Sequence, residues 1–504
     1  PIPLRKPPIT SRTIAEIREY YRSSSEERLK FLKLIGHRIY RTQIFDTNYV
    51  RIVALGSFQE VGRSAILIET PESRILLDAG VKPLMGQYEY PYYELPDMDL
   101  ENLDAVVITH AHLDHCGSLP LLIKYGYKGP IYMTEPTLYL MRLLLEDSIK
   151  IAKREGQYLP YSMKDVNEAV LRTITLKYGE VTDITPDARL TLYPSGHIIG
   201  AAMAHVHIGQ GLLNIVYTSD FKFSRSRILD SAAFEFPRLE VLIMESTYGG
   251  PQDYLPRRIE AEEALIKIVK ETFERNGVIL IPVLAVGRAQ DVLLVINEAM
   301  NRGVIPQAPI YIEGMIDEVT AIHTAFPEYL RPSLREKIYR GENPFTSPNI
   351  HILRQAGSER EEIVNTRPCI IMSTSGMLTG GPVMDYLRLL AEDDRSSLVF
   401  VSYQIEGTLG RKILQGLRKL SFVDSTGRME LRELKMSVFR VEGFSGHSDR
   451  RQLELFLKKV SPKPKKVILV HGEKTKIHSF KHRAASITKA EVIVPQNLEA
   501  VRLL

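Results

Sequence analysis

His110-Ala111-His112-Leu113-Asp114-His115 puts three imidazoles and a carboxylate within one short stretch of chain. Neutral imidazole nitrogen and carboxylate oxygen are ligands that suit zinc at a hydrolytic centre. Chance clustering of surface histidines leaves the tight H-x-H-x-D-H spacing unexplained. The run Ala105-Val106-Val107-Ile108-Thr109 just before it reads as a buried strand. The cluster therefore begins where a rigid strand hands over to a loop, a place that holds ligands still while leaving them open to solvent.

Working outward, other polar residues share that address. Asp78 follows Ile75-Leu76-Leu77, Asp220 follows Ile215-Val216-Tyr217-Thr218-Ser219, Glu245 follows Leu242-Ile243-Met244, and His471 follows Val467-Ile468-Leu469-Val470. His197, in Pro194-Ser195-Gly196-His197, lies just past another predicted strand. Singly these residues read as a turn aspartate, a loop histidine or a helix cap. Ligands, however, gather at the carboxyl ends of strands in sheet folds, and strands in register would line these residues along one edge. The set offers donors enough for two metal ions. His110, His112 and His197 are assigned to the first. Asp114, His115 and His471 are assigned to the second, with Asp220 bridging the two and Asp78 orienting a ligating histidine. A pair of divalent ions suits a shared hydroxide and in-line attack on a phosphoryl group. The leaving group then needs a proton. His447, in Phe444-Ser445-Gly446-His447-Ser448-Asp449, is the candidate general acid, held by Glu245. The bland alternative for His447 is a histidine at a helix start. Asp78 and Asp114 complete the residues on which catalysis is expected to depend, and Cys116 reads as a buried bystander.

Two strand–helix turns look like phosphate cradles, one at Val286-Gly287-Arg288-Ala289-Gln290 and one running from Ser373 to Pro382. Free backbone N–H groups and the helix dipole favour an anion at such places. Arg288, Ser373, Ser375 and Gly376 are the candidate phosphate-binding residues.

The bulk numbers set the frame. A chain of 504 residues is long for one core, so two domains are expected. A hydrophobic content of 44% with 25% charged residues fits an ordinary globular protein. No apolar run reaches the roughly 18 residues of a membrane span, and no charged-then-apolar leader opens the chain, so neither a membrane segment nor a secretion signal is expected. Two cysteines, Cys116 and Cys369, argue against a disulfide framework and fit a reducing cytoplasm. The chain starts at Pro1 rather than Met, which predicts processing or a fragment. Net charge is +4, with the basic excess concentrated in residues 1–42 (Arg5 and Lys6 among them) and around Lys463–Arg483. That permits a polyanionic partner, though either stretch alone reads equally as a solvated face.

One or two helices are predicted over 12–40, with Ser23-Ser24-Ser25 as the break. Short strands follow at Arg51–Leu55, Ala65–Glu69, Arg74–Leu77, Ala188–Tyr193, Ala202–Ile208 and Leu212–Thr218, with a helix at Leu138–Lys153. After Tyr248 the style changes. Apolar strands at Val278–Leu284, Pro309–Ile312, Cys369–Ser373 and Leu398–Ser402 alternate with helices, which predicts a mostly parallel sheet in a second α/β unit. Val467–Val470 closes the pattern.

From about residue 50 onward the chain resembles the metallo-β-lactamase superfamily and, within it, the β-CASP nucleases. His110–His115, His197, Asp220 and Asp78 match the superfamily motifs. Glu245 in Glu245-Ser246-Thr247-Tyr248-Gly249, His447 and His471 match the three motifs particular to the branch. The resemblance implies an α/β protein: a metallo-β-lactamase αββα sandwich with an inserted parallel-sheet β-CASP domain, behind a basic helical amino-terminal arm. The implied boundaries are 1–47 for the arm, 48–248 and 443–504 for the sandwich, and 249–442 for the insert. It also implies two zinc ions per chain. A histidine at the last motif, His471, is typical of RNA-acting members.

Gln59-Glu60-Val61-Gly62-Arg63-Ser64, Gly376-Met377-Leu378-Thr379-Gly380-Gly381-Pro382 and Asn497–Leu504 further resemble archaeal homologues of the endonuclease subunit of the cleavage and polyadenylation specificity factor. That likeness implies an endoribonuclease cutting single-stranded RNA between its two domains, in some members also a 5′→3′ exonuclease. It would work in the cytoplasm in RNA 3′-end formation and transcription termination. A homodimer through the carboxyl-terminal segment, and RNA polymerase or a processing complex as partner, are implied as well. One archaeal subgroup carries KH-type modules ahead of the catalytic region. The first 45 residues here hold no GXXG loop, so the chain is expected to be trimmed or to lack that module. Two other functions share the superfold. A small-molecule hydrolase needs no insert of this size, and non-catalytic RNA-binding scaffolds typically lose ligands, none of which is missing here.

Overall fold

Alternation decides how the larger of two units is layered. Successive side chains of a strand leave on opposite faces. In Leu213–Tyr217, Val241–Glu245 and Lys466–Val470 both sets are apolar. Ile215, Tyr217, Val241, Ile243, Ile468 and Val470 share one core with Ile52, Ile66, Ile68, Ile75, Leu77 and Val107 of a second sheet. Val216, Leu242, Met244, Val467 and Leu469 point the other way. There they meet Leu453 and Phe456 of helix Arg450–Lys459 and Ile477 and Phe480 of helix Lys474–Thr488. Burial on both faces is why these strands read as continuous apolar runs.

The computed structural model describes residues 10–84, 87–353, 357–404, 407–423 and 428–504. The sandwich unit comprises Arg12–Arg225, Leu229–Tyr254 and His447–Leu504. Its two sheets have seven strands each. The first runs Ala500–Arg502, Arg51–Gly56, Ala65–Glu69, Arg74–Leu77, Ala105–Val107, Ile131–Met133, Thr173–Thr175 in spatial order. The second runs Glu491–Ile493, Lys466–Val470, Val241–Glu245, Leu213–Tyr217, Ala202–Ile208, Ala188–Pro194, Val181–Thr185. With helices on the outer faces this is the αββα arrangement expected. The amino-terminal helices Arg12–Ser23 and Ser25–Ile39 break at Ser24 and lie against this unit. Tyr21 Oη donates to Val170 O (2.9 Å) and Arg28 Nη2 to Thr173 O (2.9 Å). Arg5 and Lys6 lie outside the described residues.

The second unit comprises Thr10, Ser11, Ser226–Ile228 and Leu255–Gly446. Six parallel strands form its sheet, in the order Ile350–Leu353, Ile310–Glu313, Cys369–Ser373, Val278–Pro282, Ser397–Phe400, Ser437–Arg440. This is the parallel α/β unit that the sequence announces after Tyr248. An antiparallel hairpin, Lys419–Val423 with Met429–Glu433, was not anticipated. Its second strand reverses the usual pattern. Met429 and Leu431 are each 73% exposed, whereas Arg432 turns back to pair with Glu392 and Glu430 with Arg388. A hydrophobic-in, polar-out template therefore misses it. No helix among the described residues is long and apolar enough to cross a membrane.

His323, on helix Ile316–Ala325 of this unit, is wholly buried. Its Nδ1 donates to Val319 O (2.8 Å), and burial pushes its pKa from 6.5 down to about 4. The unfolded chain takes up this proton below about pH 6.5 and the folded chain only near pH 4, so protonation favours unfolding in between. The stability this residue contributes should be intact above pH 6.5 and fall by about 3 kcal/mol as the pH drops towards 4. Denaturant unfolding across that range is expected to show a shallower pH dependence in His323→Leu than in the wild type.

Candidate metal centre

Register builds the site. Leu77 pairs with Val107 in parallel strands, so Asp78 and His110 emerge from the same edge of the first sheet. In the second sheet Tyr217 pairs with Ile243 and Glu245 with Val470, which brings Asp220, Glu245 and His471 to one edge as well. The turn after Ala188–Pro194 delivers His197. The loop from His110 leads into the short helix Leu113–Cys116, pinned from Ser64 N to Asp114 O (2.8 Å) and Ala79 N to His115 O (2.8 Å).

The seven sequence-predicted ligands gather in two groups that share one residue. His110, His112, His197 and Asp220 form one, and Asp114, His115, His471 and Asp220 the other, with the facing atoms of each within 4.8 Å of one another. Asp220 presents a different oxygen to each. Oδ2 lies 3.7 Å from Nε2 of His110 and of His197. Oδ1 lies 3.4 Å from His115 Nε2 and 3.7 Å from His471 Nε2. Asp114 Oδ2 is 3.7 Å from His471 Nε2 and 3.9 Å from His115 Nε2.

The other ring nitrogens are tied back, which fixes which nitrogen faces the centre. His115 Nδ1 bonds Asp78 Oδ2 (2.7 Å). His471 Nδ1 is met by the hydroxyls of Ser57 (2.9 Å) and Ser64 (3.1 Å). Asp78 is itself held by the N–H of Thr109 (2.8 Å) and its hydroxyl (2.9 Å), and that hydroxyl bonds Ser219 Oγ (2.6 Å). Sequence reasoning missed these four hydroxyl residues. Their one signal was position, next to a ligand or at a strand end. Asp78 (φ 62°), Ser219 (φ 49°) and His471 (φ 48°) all adopt the left-handed backbone, uncommon for residues other than glycine.

The donor set fits divalent cations. His110 Nε2, His471 Nε2 and Asp220 Oδ1 are buried without a hydrogen-bond partner, a costly state for polar atoms that a bound cation relieves. Burial, together with the His115 charge, depresses the His110 pKa, and burial likewise depresses that of His112, so both favour the neutral ligand form. For His115 burial acts against the charged ring, but Asp220, Asp78 and Asp114 outweigh it and raise the pKa well above the usual value. Burial opposes charge on Asp220 too, yet the imidazoles of His471, His115 and His447 hold its carboxyl well below the usual range. Cys116 is buried, donates to Ala111 O (3.1 Å) and belongs to neither group.

Glu245 and His447 complete the centre. His447 Nδ1 lies 3.1 Å from Glu245 Oε2 and 3.2 Å from Oε1, and its Nε2 is 3.9 Å from Asp220 Oδ2. Glu245 is fully buried and also accepts from Phe221 N (2.9 Å) and the Thr247 hydroxyl (2.5 Å). Burial lowers the His447 pKa, but Glu245 and then Asp220 more than compensate, lifting it to about 9.

The phosphate-cradle candidates lie in the other unit. Around Gly287 the amides are used locally. Gly287 N donates to Gln290 Oε1 (2.8 Å), Arg288 N to Val286 O (2.9 Å) and Ala289 N to Leu284 O (3.2 Å), and the Arg288 guanidinium is 3.9 Å from Asp291. Ser375 Oγ holds its own loop, accepting from Thr379 N (3.0 Å) and bonding Gly380 O (3.1 Å). Gln404 Nε2 ties Gly376 O (3.0 Å). Ser373 Oγ is buried without a partner.

Three family profiles match the chain in succession: a metallo-β-lactamase superfamily domain over 67–245, a Beta-Casp domain over 289–413 and a Zn-dependent metallo-hydrolase RNA specificity domain over 432–495. That succession, on this fold, defines a β-CASP metal-dependent ribonuclease. The transcription termination factor FttA of Methanothermobacter thermautotrophicus is 50% identical over 503 residues, 99% of this chain and 79% of that protein. FttA of Lokiarchaeum sp. is 48% identical (100% and 79%), and that of Pyrococcus horikoshii 47% (99% and 78%). The chain belongs to the FttA family. A crystal structure of a protein of unknown function from Enterococcus faecalis shares the fold, with a TM-score of 0.50 at 14% identity, over 90% of this chain and 100% of that one.

Because both groups share Asp220, Asp220→Ala should lower bound divalent metal, read by elemental analysis, from the wild-type level to near none. Asp78→Asn, which removes the negative charge that holds the His115 ring, is expected to weaken metal affinity by roughly 10- to 100-fold. A purified Asp220→Ala protein with its full metal content would refute the shared-carboxylate arrangement.

Proposed function

We propose that the protein is a two-zinc ribonuclease that cleaves single-stranded RNA endonucleolytically, with a 5′→3′ exonuclease mode, in transcription termination and RNA 3′-end processing. In this reading it acts in the cytoplasm as a homodimer alongside RNA polymerase or a processing complex; the relatives' name gives transcription termination as their role. The observation that carries it is the division of Asp220, one oxygen to each histidine group, with His447 beside the same carboxylate. His110, His112 and His197 would hold one ion, Asp114, His115 and His471 the other, and Asp220 both. Two zinc ions bound there would lower the pKa of water towards neutrality and offset the charge that a phosphodiester gains under attack.

The remaining work falls to side chains. Glu245 grips Nδ1 of His447, which leaves Nε2 facing the centre, and it keeps the ring charged. As the P–O bond breaks, the departing oxygen takes the Nε2 proton, so it leaves as a hydroxyl rather than an alkoxide. In the second unit Arg288, Ser373, Ser375 and Gly376 are the candidates for an RNA phosphate contact; Ser375 is half-buried, whereas Ser373 is fully buried.

His447→Ala is expected to keep its metal and lose roughly 100- to 10,000-fold in kcat on RNA. End-labelled RNA carrying 5′-triphosphate or 5′-monophosphate ends, together with circular RNA, tests the rest. Cleaved circles mark endonuclease action, and mononucleotides from monophosphorylated ends mark the exonuclease mode. Turnover of thioesters with every RNA left intact would overturn the proposal.

A further inference from the structure

Two residues past the shared carboxylate stands a lysine that no motif singles out. Lys222 is 8% exposed, and its Nζ donates to the main-chain carbonyl of His447 (2.8 Å). Its neighbours hold the next residue. Ser448 N and Ser448 Oγ both donate to Phe221 O (2.9 and 3.0 Å), and Phe223 N donates to Ser448 Oγ (2.9 Å). Phe221 N reaches Glu245 Oε1 (2.9 Å). The segment 221–223 therefore grips the backbone of His447 and Ser448 as well as the carboxylate that orients the His447 ring.

His447 needs such a grip. It follows Gly446 and precedes helix Arg450–Lys459, so no strand ladder fixes its main chain. Keeping an ammonium largely out of water is costly, and a methionine of similar reach would fill the space without that cost. We propose that Lys222 is a positioning residue for proton donation, locking the His447 main chain so that Nε2 meets the leaving oxygen. This rests on reading His447 as the general acid.

Lys222→Met keeps the stem and removes the donor. In the full-length protein its kcat on RNA should fall roughly 10- to 100-fold, while KM and metal content stay within about twofold of wild type. Bis(p-nitrophenyl) phosphate, whose leaving group departs without a proton, should be cleaved by Lys222→Met and by His447→Ala at nearly the wild-type rate. On RNA the double variant should be no slower than His447→Ala alone, since both changes remove one function. Lys222→Arg should recover much of the rate. Unchanged RNA turnover by Lys222→Met, equal losses on both substrates, or lost metal would each overturn the proposal. Equal losses on both substrates by His447→Ala would instead overturn the proton-donor reading, and the role of Lys222 with it. Should Lys222→Met fail to fold, Lys222→Leu, which also lacks a donor, carries the same comparison.

Discussion

A single buried carboxylate dictates much of this molecule. Asp220 is 1% exposed, and two imidazole groups converge on it from different elements. An anion so placed is tolerable only with positive charge close by. Its position leaves little freedom, because the strand before it lies in a sheet whose inner face is packed against a second sheet and whose outer face is packed against helices. A one-residue slip would exchange those two faces and move the carboxylate off the edge. The apolar sandwich thus fixes the site by fixing register.

The backbone at the edge is the second constraint. Three residues at strand ends, Asp78, Ser219 and His471, take the left-handed conformation, at a cost of order 1–3 kcal/mol each. Main-chain bonds from Asp78 N to Val107 O (2.8 Å) and from His471 N to Ser57 O (2.7 Å) hold two of them. The turn out of each strand is thereby abrupt, and the side chain faces the centre instead of continuing the pleat.

Much of this was legible in the sequence, for physical reasons. Strands buried on both faces leave uninterrupted apolar runs, and Ala65–Glu69, Ala202–Ile208 and Cys369–Ser373 fall where those runs predict. Polar residues at the ends of such runs stand out, so the residues that meet around Asp220 could be named in advance. What escaped lacks that contrast. Ser57, Ser64, Thr109 and Ser219 are ordinary hydroxyl residues until the fold sets them beside a ring nitrogen or a carboxylate. Lys222 reads as one more surface cation. The turn at Gly287 looks open in sequence because composition does not reveal which amides are already engaged.

The raised pKa of His115 has a consequence for how the centre fills. The three carboxylates beside it favour the ring with its hydrogen ion, whereas coordination through Nε2 needs that nitrogen bare. Acid and cation thus compete for the same seat.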